Sequence, residues 1–192
     1  MRPSVTPIFH KPTSTWTYVV ADPATREAAV IDPVLDYDWR SARTGTASAD
    51  EILAHLESAG LSLRWILETH AHADHLSAAP HLKARAGGQI AIGQGIRQVQ
   101  ATFKRLFGLG DEFQPDGRQF DRLLADGDTV EFGRIAGRVI ATPGHTSDSV
   151  SYLFGDALFV GDTVFMPDGG SARCDFPGGD AAELYRSIQR LY

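Results

Sequence analysis

The chain is poor in cysteine, in long apolar runs and in basic charge. Cys174 is the one cysteine among 192 residues, which excludes an internal disulfide. No stretch approaches the ~20 apolar residues that a membrane-spanning helix needs, so that class is excluded. The 18 Lys and Arg residues stand against 24 Asp and Glu, for a net charge of -6, with the signs interspersed. A nucleic-acid backbone calls for a basic stripe, so no nucleic-acid partner is expected. Residues 1–10 hold no apolar run long enough for a secretory signal, and with the lone cysteine this predicts a cytoplasmic setting and no membrane contact. No repeat, low-complexity tract or interdomain linker is visible. Residues 1–192 therefore read as a single domain, close to the ~150 residues usual for one.

What the chain does have is histidine in one place. Three of its seven histidines fall in Thr69-His70-Ala71-His72-Ala73-Asp74-His75, directly after the apolar run Trp65-Ile66-Leu67. A strand ending in such a loop aims several imidazoles and a carboxylate at one point, the donor set favoured by divalent first-row metals. A single surface histidine means little, but this concentration points to a metal site.

The remaining pattern alternates strands and helices. Residues 17–21 and 27–31 predict a hairpin around Asp22-Pro23, and residues 34–47 read as an irregular loop. Ser48 and Glu51 form a capping-box signature for a helix with Ile52, Leu53, Leu56 and Ala59 on its apolar face. Residues 64–68 and 89–92 read as strands, and 77–86 and 96–107 as helices. Past the glycine-rich acidic loop 108–117, short strands follow at 129–132, 138–141, 149–154 and 157–160. An amphipathic helix at 181–192 closes the chain. Strands then helices, twice over, predict an α+β, αββα sandwich with functional loops at one sheet edge. Two of those loops offer more ligands. Thr142-Pro143-Gly144-His145-Thr146 places a histidine after a tight turn, and Gly161-Asp162-Thr163 places an aspartate after an apolar strand.

In this order the three loops resemble the metallo-β-lactamase superfamily, which includes glyoxalase II, lactonases, β-lactamases and persulfide dioxygenases. Arg173-Cys174-Asp175-Phe176-Pro177-Gly178-Gly179 and Leu184-Tyr185 are similar to the persulfide dioxygenase branch. Ile31-Asp32-Pro33-Val34-Leu35-Asp36-Tyr37-Asp38 is similar to that branch's bacterial β-lactamase-like hydrolases. The resemblance implies one Fe(2+) per chain held by His70, His145 and Asp162, two histidines and a carboxylate that leave positions open for O2 and a thiol persulfide. His72, Asp74 and His75 would then orient those ligands by hydrogen bonds, and Arg173 would bind the anionic substrate or else pair with Asp175. The implied reaction oxidises glutathione persulfide to sulfite and glutathione.

A second implication is a Zn(2+) hydrolase of thioesters, lactones or β-lactams. It would hold one metal on His70, His72 and His145 and another on Asp74, His75 and a further histidine, with Asp162 bridging. A third is a non-catalytic metal-binding or flavin-partner module. Family members continue beyond the helix at 181–192 with a strand, a His-Asp-Tyr loop and more helix, so the resemblance implies a C-terminally short domain. Its strand at 157–160 or a neighbour would be exposed to pair with a second copy, as a homo-oligomer, or with a complementing fragment. Cys174, beside apolar Phe176, reads as a packed thiol, with a redox sensor or transient sulfur carrier as the alternatives.

Overall fold

The computed structural model describes residues 2–192. Thirteen strands and four helices follow in chain order among these residues. The first half holds β1 (Ser4–His10), β2 (Thr15–Ala21), β3 (Glu27–Ile31), β4 (Val34–Asp38), β5 (Arg43–Gly45), α1 (Ala47–Ser58), β6 (Ser62–Leu67), β7 (Leu76–Ser77) and α2 (Ala79–Ala86). Next come β8 (Gln89–Gly93), α3 (Ile96–Phe107), β9 (Arg122–Leu124), β10 (Thr129–Phe132), β11 (Ile135–Ala141), β12 (Val150–Phe154), β13 (Ala157–Phe159) and α4 (Ala181–Leu191).

A six-stranded sheet, ordered β1-β2-β3-β6-β8-β9, faces a four-stranded one, β10-β11-β12-β13. β3 is apolar along nearly its whole length because both its faces are covered. Ala29 and Ile31 turn inward against Val130, Phe132, Val139 and Tyr152 of the smaller sheet. Ala28 and Val30 turn outward against Ile52 and Leu56 of α1 and Leu82 of α2. This two-residue alternation builds an inner and an outer core from one strand. The smaller sheet feeds only the inner core, so β10 alternates exposed and buried positions. The result is the expected mixed α+β sandwich. β3, β6, β8 and β9 run parallel, so the loops that follow β3 and β6 open at the same edge of the sheet, as the expected placement of functional loops requires.

Several local expectations are corrected. Residues 34–47 are not an irregular loop: β4 pairs antiparallel with β5 and with β7 in a small third sheet. Asp38 makes the turn, accepting from Arg40 N at 3.0 Å and Ser41 Oγ at 2.7 Å, and this polar turn chemistry hid a hairpin. Ser48 does not cap α1. The helix starts after Thr46, and Ser48 instead donates its N–H and Oγ–H to Asp36. The helix expected at 77–86 begins only at Ala79, because Leu76 and Ser77 pair with β4 and Pro80 sits in the first turn. Strands β1 and β9 had no sequence expectation. β1 has every second position exposed and only a weak apolar stripe, and β9 is three residues long.

β13 ends the smaller sheet, and Leu158 on it is 37% exposed. Among the described residues no helix is long and apolar enough to cross a membrane.

Candidate metal centre

Three loops leave neighbouring strand ends and meet: the histidine loop after β6, His145 after β11, and Asp162 in a single 3-10 turn (Gly161–Thr163) after β13. His145 Nε2 lies 3.5 Å and His70 Nε2 3.9 Å from the same oxygen, Asp162 Oδ2. These separations exceed a hydrogen bond. They match neighbouring donors around one ion, since N and O ligands each ~2.0 to 2.2 Å from a metal sit roughly 3 to 4 Å apart. The far ring nitrogens are already engaged. His70 Nδ1 is 3.0 Å from Thr69 Oγ1 and His145 Nδ1 donates to the Arg173 carbonyl at 2.8 Å. Outer contacts of this kind fix the tautomer that leaves Nε2 free to ligate. The donor set and its spacing fit a divalent transition metal.

His72 belongs to a different cluster. Its donor groups with those of Asp74 and His75, and, on its other side, with Asp32 and Glu68. Nε2 of His72 is 3.1 Å from Asp32 Oδ1 and 3.5 Å from Glu68 Oε2, whereas Nδ1 is 4.0 Å from Asp74 Oδ1. The structure thus brings His70, His145 and Asp162 into one group and His72, Asp74 and His75 into another beside it. His75 has a buried Nε2 with no hydrogen-bond partner, stacks on His72 and gives Nδ1 to its neighbour's carbonyl.

The surroundings set the charge states. Burial, and then the neighbouring rings of His72, His145 and His75, pushes His70 well below the usual imidazole range, holding it neutral as a ligand must be. Burial would lower His72 too, but the Asp32 and Glu68 carboxylates outweigh it and raise it well above that range. Burial also raises Asp162 and Glu68. A divalent ion beside Asp162 would oppose that rise.

Asp32 and Glu68 are the buried residues that sequence reasoning passed over. Asp32 takes Thr69 N at 2.7 Å, Thr69 Oγ1 at 2.8 Å and His72 in one carboxylate. Glu68 is held by Ser77 Oγ, and its backbone carbonyl accepts from buried Tyr152 Oη at 2.8 Å. Asp148 accepts Ala71 N at 2.8 Å and pins the histidine loop from the β12 side. The signal for Asp32 was its place at the end of the strand read at 27–31; Glu68 offered only its position before Thr69.

On the other side of the site the chain is more open. Arg173 lines the cleft, but its guanidinium is clamped by Asp175, Nε to Oδ1 at 2.5 Å and Nη2 to Oδ2 at 2.6 Å, and lies over Phe176. The structural pairing weighed for Arg173 is present. Cys174 reaches only the Ala172 carbonyl, and burial, then Asp180 and Asp175, raises its thiol. Gly144 has φ 137, and a Cβ there would strike the backbone of Leu184 in α4. Only glycine lets the His145 loop sit this close to the helix. The cleft, about 1340 Å³, runs between the histidine loop and this segment, with Trp16, Leu158, Phe165 and Met166 as apolar walls.

Comparison with known proteins follows the same lines. A family model described as the metallo-beta-lactamase superfamily matches residues 10–192. A probable metallo-hydrolase of Burkholderia pseudomallei is 52% identical over 193 residues, covering 95% of this chain and 66% of the relative. The mitochondrial persulfide dioxygenase ETHE1 of Bos taurus is 33% identical over 183 residues, covering 94% of this chain and 59% of the relative. The crystal structure of ETHE1 from Myxococcus xanthus aligns with a TM-score of 0.75 at 32% identity, over 98% of this chain and 69% of that one. The chain spans 41% to 66% of the length of the curated relatives that are at least 50% identical to it.

Proposed function

The chain belongs to the metallo-β-lactamase superfamily of metal-dependent enzymes, and from that premise we propose an iron-dependent persulfide dioxygenase that oxidises glutathione persulfide with O2 to sulfite and glutathione. The observation that carries this reading is the grouping of donors. His70, His145 and Asp162 stand apart from His72, whose Nε2 is taken by two buried carboxylates. Two imidazoles and one carboxylate on one side of an ion leave three positions open, the arrangement of non-heme iron oxygenases. The likeness to persulfide dioxygenases supports it.

Fe(2+) bound there would supply the redox chemistry by which O2 reacts with sulfur. The chain's own groups do the rest. His70 and His145 are held by Thr69 and the Arg173 carbonyl so that both present Nε2. Trp16, Phe165 and Met166 offer an apolar wall along which the thiol carrier would lie. Arg173, fixed by Asp175, keeps N–H groups at the rim for a substrate carboxylate. One O2 and one water are consumed per persulfide.

A zinc-dependent hydrolase is the second reading, favoured by the adjacent His72, Asp74 and His75 group and by the likeness to a probable metallo-hydrolase. The separating experiment purifies the chain without oxygen, loads it with iron and follows O2 uptake on adding glutathione persulfide. Persulfide-dependent uptake with one iron per chain supports the dioxygenase. Two zinc ions per chain, thioester hydrolysis and no O2 uptake would replace it with the hydrolase.

A further inference from the structure

Beyond the histidine loop, buried His10 at the end of β1 heads a line of polar contacts that the metal chemistry above leaves unused. Its Nε2 lies 3.4 Å from Asp36 Oδ1 on β4. That carboxylate is fixed by Ser48, whose Oγ donates at 2.6 Å and whose N donates at 2.9 Å. On the other side His10 Nδ1 is 2.7 Å from Thr13 Oγ1, Thr13 Oγ1 is 2.8 Å from Thr15 Oγ1, and Thr15 Oγ1 donates to Asp74 Oδ2 at 3.3 Å. The hairpin makes this possible. His10 pairs with Thr15 across β1 and β2, and Ser14 between them has φ 57, in the left-handed region that turns the loop sharply. Thr13 and Thr15 therefore face one another at the mouth of the cleft.

The direction of the line follows from counting hydrogens. A carboxylate only accepts and each threonine hydroxyl has one hydrogen to give. If Thr15 donates to Asp74, Thr13 must donate to Thr15, and Nδ1–H of His10 must donate to Thr13. The Asp74 side chain is 51% exposed, and among the described residues this line supplies the one hydrogen bond to its carboxylate. We propose that His10 is a positioning residue for the metal centre: through Thr13 and Thr15 it holds the Asp74 carboxylate in one orientation beside His72 and His75. Asp36 Oδ1 lies beside the other ring nitrogen at 3.4 Å, and His10 itself touches neither substrate nor metal. The proposal rests on Asp74 belonging to the site described above, whichever reaction that site runs.

Two measurements test it. The first is independent of activity: nitrogen NMR of the His10 ring in the metal-free protein. Nδ1 reports as protonated, Asp74→Asn shifts its resonance, and the shift disappears in a Thr15→Val background. The second is steady-state oxygen uptake with glutathione persulfide. Thr15→Val lowers turnover about tenfold, the usual scale for groups that orient a site from outside, with KM and melting temperature little changed. Thr15→Ser restores most of it, and adding Thr13→Val to Thr15→Val costs nothing more, because both cut one line. A His10 resonance indifferent to Asp74→Asn, or additive losses from Thr13→Val and Thr15→Val, would overturn the proposal. Absence of persulfide-dependent uptake in the unmutated chain would count against the dioxygenase reading alone, and the NMR result would still decide the relay.

Discussion

His70 and Arg173 stand on opposite sides of the same cleft, yet their surroundings have little in common. His70 is 2% exposed and tied through Thr69 to Asp32, a carboxylate that also holds His72. Arg173 has a 65% exposed side chain held by Asp175, two residues away, and lying over Phe176. One wall is part of the core and moves only if the core moves. The other is a surface segment braced by its own sequence neighbours. The comparison teaches where each property resides: the geometry of the grouped histidines is a consequence of folding, while the Arg173 side chain, proposed to meet substrate, sits on an exposed segment whose tie to the site is its backbone carbonyl on His145.

The sharpest break of this comparison is Asp162→Ala. Removing the one carboxylate among the three grouped donors should abolish iron binding, while His72→Ala should weaken it by ~10 to 100-fold, the scale of an orienting group. Metal content after dialysis reads both. Equal loss in the two variants would move His72 into the ligand set and favour two metals. Next is Asp32→Ala, which strips Thr69 and His72 of a buried acceptor. A broken buried pair costs about 3 to 5 kcal/mol, so a large fall in melting temperature should accompany loss of metal. A variant that loses metal but melts normally would show that the core wall and the site are less coupled than their hydrogen bonds indicate.

Tyr152→Phe is milder. It removes the hydroxyl that the Glu68 carbonyl accepts, leaving a buried acceptor unpaired at about 1 to 3 kcal/mol, visible in denaturant unfolding. Smallest on stability is Arg173→Ala, which should leave melting temperature and iron content unchanged and raise KM for glutathione persulfide severalfold. An unchanged KM would reduce Arg173 to the partner of Asp175 and leave its backbone carbonyl as its contribution to the site.

The legible parts of this molecule were those where a residue type is rare or a period is clean. Three histidines in six positions stand out anywhere, and the β3 and α3 patterns matched the elements formed. The rest hid for physical reasons. β4 and β5 are rich in Asp, Tyr and Arg because their hairpin leans out from the core, so no apolar alternation marks them. Ser48 and Glu51 carry the letters of a capping box, but Asp36, distant in sequence, captures Ser48 first. Asp32 and Glu68 are ordinary acids in a sequence. Only the fold buries them beneath His72, where their effect is largest.

Gly144 gives the site a mechanical property. At this position the His145 loop rests on the backbone of α4 at Leu184, and Ser187 of the same helix donates to the Pro143 carbonyl at 2.7 Å. A contact through side chains has slack, since a rotamer can swing aside; main chain against main chain has none. The helix therefore stands as a close stop behind His145, one of the three grouped donors, and a shift of α4 is expected to be felt at that loop.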